Sequence, residues 1–397
     1  MNFNIMAKPA SFRCNLKCTY CFYLEKEDYL FSQNKSTSSM PKTVLESYTA
    51  NYIKSQSSNE INFVWQGGEP LLAGLDFFKE AVKFQKKHAN GKIITNTFQT
   101  NSIGINKQWA QFFHDHDFLL GISIDGLEDI HNAYRISVNG QPTFERVKQS
   151  IDLLKKYNVK FNTLTVVNNK NWHQGKETYR ALKALGSQFM QFIPIVEKIQ
   201  DHYPISYQPE NGTVSDFSVP SQGYGQFMTD VFDEWMESDV GTIYVRMFDS
   251  ILSTWMGWPA SVCTQARNCG SAMVVEANGD VYSCDHYVYP SNKIGNVLTN
   301  TLTDVATSQQ QIEFGNKKQD VGEKCQQCPY LALCFGGCPK HRFVPIENNA
   351  KYQNYLCSSY QMIFEHTAPV MHLMKESLHS GGQAADAMPI WASFTSS

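Results

Sequence analysis

Three cysteines near the start of the chain, Cys14, Cys18 and Cys21, are separated by three and then two residues, and this spacing constrains the chain more than any other feature. Thiolates are the usual ligands of iron–sulfur clusters, and a loop this compact can aim all three at one cluster. No fourth cysteine lies nearby. A four-iron cluster on three thiolates leaves one iron open to a ligand from outside the protein. Two plainer readings are three unrelated thiols, or part of a zinc site, which takes four ligands at short spacing.

The other cysteines are Cys263, Cys269, Cys284, Cys325, Cys328, Cys334, Cys338 and Cys357, which brings the total to 11. No apolar run approaches the roughly 18 residues of a membrane helix, and MNFNIMAKPA lacks a charged-then-apolar signal pattern. The chain is therefore expected in the cytoplasm, where structural disulfides are rare and thiols serve metals or catalysis. Three plus eight is the count for one open cluster and two clusters with four thiolates each, with none left over. A net charge of −3 gives no basic field for nucleic acid or an anionic membrane.

With 397 residues, one barrel plus a smaller module is expected. Strands are predicted at Asn4–Lys8, Ile61–Gln66, Lys92–Thr97, Phe118–Ile124, Lys160–Val167 and Phe189–Val196. Helical periodicity is predicted at Pro41–Ser55, Leu75–His88, Lys107–His116, Thr143–Tyr157 and Lys176–Leu185, and again at Gly223–Glu237. Alternation of this kind implies parallel strands joined by crossover helices, here an α/β partial (β/α)6 TIM-like barrel. Residues 1–238 would form it, 239–365 a cysteine-rich domain, and 366–397 a helix end and tail.

Ligands of such barrels gather where the loops after the strands converge. The triple-cysteine loop follows the first strand. Gln66-Gly67-Gly68-Glu69-Pro70 follows the second, its glycines exposing backbone groups and its glutamate able to accept hydrogen bonds from an ammonium. Gln99-Thr100-Asn101 follows the third, and Ser123-Ile124-Asp125-Gly126 the fourth, with Arg135 beyond it able to pair with a carboxylate. Taken singly, the glycines read as a turn and Ser123 or Arg135 as structural. Their coincidence at one mouth points to a site.

After Asp239 the strand–helix rhythm is expected to stop. Ala272–Glu276 and Asp280–Ser283 flank Asn278-Gly279, a hairpin signal that would bring Cys269 and Cys284 together. Cys325, Cys328, Cys334 and Cys338 follow at nested spacing, then Cys357; a zinc ribbon would ordinarily stop at two CxxC pairs. Asp285 adjoins Cys284, as a solvated or hydrogen-bonding residue or as part of a site. His114 and His116 read as a solvated helix end, and Gly381–Ser397 as a tail of uncertain order.

From Lys8-Pro9-Ala10 to about Tyr360 the sequence resembles the anaerobic sulfatase-maturating enzymes, radical S-adenosylmethionine proteins with a SPASM domain. The resemblance is carried by Cys14–Glu25, Trp65–Pro70, Leu72–Phe78, Gln99–Asn101, Gly121–Gly126, Asn162–Val167, Gln191–Pro194 and the cysteine-rich third. It departs at Ser102, where the family usually has glycine, and at Val196, where it often has leucine.

The resemblance implies three [4Fe-4S] clusters and S-adenosyl-L-methionine. The open cluster would sit on Cys14, Cys18 and Cys21, with Tyr20 beside it, and Gln66, Gly68, Ser123, Arg135 and the chain near Val196 would meet S-adenosylmethionine. Cys263, Cys269, Cys284 and Cys338 would hold one auxiliary cluster, and Cys325, Cys328, Cys334 and Cys357 the other; spacing alone does not assign Cys338. Asp285 would be the general base, with His286 and Tyr287 near it. The implied activity is oxidation of a cysteine or serine in an unfolded sulfatase, within C/S-x-P/A-x-R, to Cα-formylglycine. Electrons would come from a reduced flavodoxin or ferredoxin-type donor. The alternatives are a SPASM peptide maturase forming a thioether, carbon–carbon crosslink or epimer, and a non-enzymatic electron carrier.

Overall fold

The computed structural model describes residues 3–23, 26, 30, 39–198, 214–270, 272–346 and 349–395. Glu25, at the edge of one resembling stretch, lies outside them. All six expected parallel strands are present: β1 Asn4–Ala7, β2 Glu60–Trp65, β3 Ile93–Thr100, β4 Phe118–Ser123, β5 Phe161–Val167 and β6 Phe189–Pro194. Further strands follow: β7 Tyr244–Val245, β8 Ala272–Val275, β9 Asp280–Tyr282, β10 Lys293–Asn296, β11 Arg342–Ile346 and β12 Asn349–Asn354.

The chain divides into two compact units. One comprises Met1–Ser123, Asn132–Phe161 and Cys269–Lys317. Its strands lie in the order β10-β9-β8-β1-β2-β3-β4. The run from β8 through β1 to β4 is parallel, while β9 pairs antiparallel with β8 across the expected Asn278-Gly279 turn and with β10 on its other side. The helices Lys42–Ser55, Leu75–His88, Lys107–Asp115 and Phe144–Lys156 accompany the strands, each within two residues of its expected bounds. Tyr48, Phe63, Trp65, Phe78, Phe98 and Phe113 are wholly buried, and Trp65 packs edge-on to Phe78 at 5.4 Å. Burying each such ring contributes about 1.5–3 kcal/mol. The two polar edges among them are satisfied: Tyr48 donates its hydroxyl to the Ile5 carbonyl at 3.1 Å, and Trp65 Nε1 donates to Asn96 Oδ1 at 2.8 Å, which Gln85 Nε2 also meets at 2.8 Å. Asn106 starts the helix Lys107–Asp115, its side chain accepting from the amides of Gln108 and Trp109.

The other unit comprises Ile124–His131, Asn162–Asn268 and Lys318–Ser397. Here β5, β6 and β7 run parallel, and β11 and β12 form a hairpin. The strand–helix rhythm does not stop at Asp239: β7 pairs with β6 and leads into the helix Arg246–Trp255. A strand of two residues has no periodicity for sequence reading to find. The helices Gly223–Ser238 and Cys357–His379 meet closely at Gly225, whose amide donates to Ser359 Oγ at 2.8 Å. A Cβ there would lie 2.9 Å from Ser359 Cα.

The expected tail is helical in the described residues, with a short turn at Ala384–Ala387 and a helix at Met388–Thr395. Trp391 packs edge-on to Phe232 and His366, at 5.8 and 5.5 Å, an anchor that a polar-looking segment conceals. Among the described residues no helix is long and apolar enough to cross a membrane.

Candidate active site

In the first unit, the loop carrying Cys14, Cys18 and Cys21 leaves the C-terminal end of β1 and is stitched to three neighbouring loops. After β2, the Glu69 amide donates to the Arg13 carbonyl at 2.8 Å. After β3, Asn101 Nδ2 donates to Asn15 Oδ1 at 2.7 Å and approaches Cys14 Sγ at 3.6 Å. Beyond β4, the segment following Arg135 pairs with the loop, Lys17 N donating to Ile136 O at 2.8 Å and Val138 N to Asn15 O at 3.4 Å. Segments after three further strands thus converge on the triple-cysteine loop.

Gly67 and Gly68 owe their place to this convergence. Both have positive φ, and a Cβ on Gly68 would lie 2.1 Å from the Arg13 carbonyl oxygen, on Gly67 2.1 Å from Lys8 Cδ. Glu69 differs from expectation. Its buried carboxylate accepts from Leu71 N, Thr100 Oγ1 and Asn101 N at 3.0, 2.7 and 2.8 Å, so it joins two loops instead of facing an incoming ammonium. Burial pushes its pKa up to about 7. Ser102 adopts a left-handed φ of 64°, which explains why glycine suits that position.

Tyr20 and Arg135 come together: the guanidinium lies 5.5 Å from the ring centroid, both residues are nearly buried, and Tyr134 packs on Tyr20 at 5.4 Å. Ser123 is half-buried at the end of β4. Val196, in the other unit, is only 2% exposed, beyond the end of β6.

A second polar centre joins β1 to the loop after β9. Lys8 is buried, and its ammonium forms an ion pair with Asp285. Gln66 bridges the pair, accepting from Lys8 Nζ at 2.5 Å and donating to the Asp285 carboxylate. Burial raises the Asp285 pKa, but Lys8 and then His286 outweigh it, so the carboxyl is held below its ordinary value and is ionised at neutral pH. Tyr23 lies beneath the ammonium, 4.4 Å from ring centroid to Nζ, and donates its hydroxyl to Glu276. His286 packs on Phe22 at 5.1 Å, so the neighbour of Asp285 touches the neighbour of Cys21. Tyr287 is buried against Phe314 at 5.4 Å.

Sequence reasoning missed Lys8, Tyr23 and Glu276. A lysine at a strand end reads as a solvated cation, and only its place between Gln66 and an adjoining strand could have suggested otherwise.

In the second unit, Cys325, Cys328, Cys334 and Cys357 share one neighbourhood. The charge of Cys357 bears on both Cys325 and Cys334, and that of Cys328 on both Cys325 and Cys357. Between Cys334 and Cys338, Phe335, Gly336 and Gly337 all take positive φ, 44°, 71° and 64°. Arg342 donates to the carbonyls of Phe335 and Gly336 at 2.7 and 3.0 Å, and Asn354 Nδ2 to those of Gly336 and Cys338 at 3.1 Å each. These bonds fix the curl of the backbone between the two cysteines.

The Radical SAM superfamily model matches residues 9–182, and the SPASM model, an iron–sulfur cluster-binding domain, matches residues 263–329. The serine-type anaerobic sulfatase-maturating enzyme of Bacteroides thetaiotaomicron is 40% identical over 390 residues, which cover 97% of this chain and 94% of the relative. The chain belongs to the anaerobic sulfatase-maturating enzymes. The cysteine-type anaerobic sulfatase-maturating enzyme of Clostridium perfringens is 35% identical, with 92% and 96% covered. The solved structure of native anSMEcpe with bound AdoMet and Cp18Cys peptide superposes with a TM-score of 0.83 at 33% identity, with 95% of this chain and 100% of that one covered.

As a sulfatase-maturating enzyme the protein is a radical S-adenosylmethionine oxidoreductase with [4Fe-4S] clusters, and its residues fit that chemistry. None of the 11 cysteines is in a disulfide, and all but the exposed Cys263 are half-buried. Burial pushes Cys14 up to about 11 and Cys334 up to about 12, so a cation or cluster must bind for these sulfurs to ionise at neutral pH. Among the described residues no three His, Cys, Asp or Glu side chains converge tightly enough for a single metal ion.

Proposed function

We propose that this sulfatase-maturating enzyme oxidises a cysteine or serine of an unfolded sulfatase, within C/S-x-P/A-x-R, to Cα-formylglycine, with Asp285 as the general base. The observation that carries this is the ionised Asp285 held by Lys8 and Gln66, one residue from Cys284 and joined through His286 and Phe22 to the triple-cysteine loop. Cys14, Cys18 and Cys21 would hold the open cluster, and Tyr20, Gln66, Gly68, Ser123, Arg135 and Val196 would surround S-adenosylmethionine. Cys263, Cys269, Cys284 and Cys338 would ligate one auxiliary cluster, and Cys325, Cys328, Cys334 and Cys357 the other. We assign residues 1–238 to the radical part, 239–365 to the auxiliary-cluster part and 366–397 to the terminal helices. The donor is assigned as a reduced flavodoxin or ferredoxin-type protein, and the compartment as the cytoplasm.

When bound, the clusters and S-adenosylmethionine supply a hydrogen-abstracting 5′-deoxyadenosyl radical and an acceptor for one electron. The residue being oxidised gives up one hydrogen atom from its β-carbon, one proton from sulfur or oxygen, and one electron. Asp285 takes the proton. Lys8 and Gln66 keep that carboxylate anionic and fixed in direction. Serine then stands as the aldehyde; cysteine stands as a thioaldehyde, which water converts to the aldehyde with release of hydrogen sulfide.

Mass spectrometry of a Cys-x-Pro-x-Arg peptide, incubated anaerobically with reduced enzyme and S-adenosylmethionine, tests the reading. Exchange of sulfur for oxygen with loss of two hydrogens is expected. Loss of two hydrogens with sulfur retained would instead show crosslinking.

A further inference from the structure

Asn101 is buried beside Cys14, and the chain holds its side chain so that the amide nitrogen faces the sulfur. The amide oxygen is already taken. The turn through Ser102, at a left-handed φ of 64°, brings Ile103 N back to donate to Asn101 Oδ1 at 3.0 Å. A main-chain N–H cannot accept, so the oxygen and nitrogen of the side chain cannot exchange places. The residue is also fixed through its own backbone, Asn101 N donating to Glu69 Oε2 at 2.8 Å.

The side-chain nitrogen carries two protons. One goes to Asn15 Oδ1 at 2.7 Å and braces the triple-cysteine loop; the other is left for Cys14 Sγ, 3.6 Å away, a bonding distance for an atom as large as sulfur. Leu16 N donates to the same sulfur at 3.4 Å. A brace between two loops needs only one of the two protons, and the second joins a main-chain N–H on one sulfur. A thiolate that accepts such bonds gives up electron density to them. A four-iron cluster gains negative charge on reduction, so hydrogen bonds to its sulfurs favour the reduced form and raise its potential. Outer groups of this kind tune a metal centre without ligating it.

We infer that Asn101 is a positioning residue for radical formation: its N–H···S hydrogen bond to Cys14 raises the reduction potential of the open cluster, which eases entry of the one electron that cleavage of S-adenosylmethionine consumes. The inference rests on the assignment of Cys14, Cys18 and Cys21 to that cluster proposed above. Asn101 acts through the Cys14 sulfur alone, with no change in which side chains hold the iron.

The test is an EPR-monitored redox titration of the full-length, anaerobically reconstituted chain. The open-cluster signal is the part that disappears when Cys14, Cys18 and Cys21 are replaced by alanine. Asn101→Leu removes the donor without adding charge. Asn101→Asp keeps the shape and the acceptor for Ile103 but, ionised, has no proton to give. Asn15→Ala breaks the brace and leaves Asn101 in place. With iron content unchanged, Asn101→Leu is expected to lower the ratio of reduced to oxidised open cluster about tenfold at a fixed solution potential, a downward shift of about 59 mV for one electron. Asn101→Asp is expected to move it at least as far in the same direction, and Asn15→Ala to stay near the parent. Equal ratios in Asn101→Leu and the parent overturn the inference. So does an equal shift in Asn15→Ala, and so does loss of iron from both Asn101 variants with Asn15→Ala fully loaded; either makes Asn101 a structural brace alone. If no signal disappears when the three cysteines become alanine, the assignment of the open cluster to this loop fails, and the inference with it.

Discussion

Lys8 and Asp285 form a buried ion pair across 277 positions of sequence, tying the end of β1 to the residue beside Cys284. The lysine is 1% exposed and the aspartate 20%, so the carboxylate alone keeps an open edge. A base in this position is ionised, fixed in direction and reachable from one side.

Replacing the carboxylate separates proton removal from radical formation. Asp285→Asn is expected to leave S-adenosylmethionine cleavage in place while formylglycine falls by about 10²–10⁴-fold, the usual weight of a general base. Lys8→Met should shift the same ratio in the same direction, and should also destabilise the fold by about 3 kcal/mol because a buried charge loses its partner. Parallel quantification of deoxyadenosine and formylglycine checks both variants. Full formylglycine yield from Asp285→Asn would refute the assignment of the base.

Alanine at Cys14, Cys18 and Cys21 should abolish deoxyadenosine formation on reduction. Iron should fall from about twelve to about eight atoms per chain, one four-iron cluster fewer. Iron assay and Mössbauer spectra of the reconstituted variant read this directly, and an unchanged iron count would show that the loop holds no cluster.

Ser102→Gly is expected to stabilise the protein. At φ 64° a serine is strained, by about 1–3 kcal/mol for a left-handed residue, and its hydroxyl is buried without a partner among the described residues. Glycine removes both penalties but loses about 0.5–1 kcal/mol to the freer unfolded chain, leaving a net gain of about 1 kcal/mol. Thermal unfolding of the two proteins side by side measures it, and a lower midpoint for glycine would contradict the strain argument.

Asp249, in the first turn of the helix Arg246–Trp255, is raised by burial to about 6. Unfolded, it titrates near about 3.9. The native state therefore binds the proton more tightly. The stability this gives is complete below pH of about 3.9 and is lost as pH rises to about 6. Asp249→Asn, uncharged throughout, should be more stable than the parent at pH 7, with the advantage shrinking towards pH 5. Unfolding midpoints across that range test the sign.

Much of this was legible in the sequence, for reasons that differ from place to place. The six parallel strands and the longer helices up to Ser238 announced themselves by periodicity, because each buries one face, whereas the seven-residue helix Glu128–Tyr134 was too short to show one. The Asn278-Gly279 turn was equally plain, since those residues favour its dihedrals. Lys8 was hidden because its partner stands on a distant strand connection, and β7 because two residues carry no pattern. Glu69 was legible as a loop glutamate but not as one whose oxygens are consumed by Leu71, Thr100 and Asn101. Trp391 gave little warning that its helix would dock on Phe232, since a short apolar cluster of Met388, Ile390, Trp391 and Phe394 after a polar stretch does not name its target.

The seams that fasten Arg13, Asn15 and Lys17 to the loops around them reach past their immediate neighbours. They are made of amides and carbonyls that oxygen does not attack, so the receptacle outlasts its contents. An enzyme bleached in air should recover with iron, sulfide and a thiol reductant, without passing through the unfolded chain.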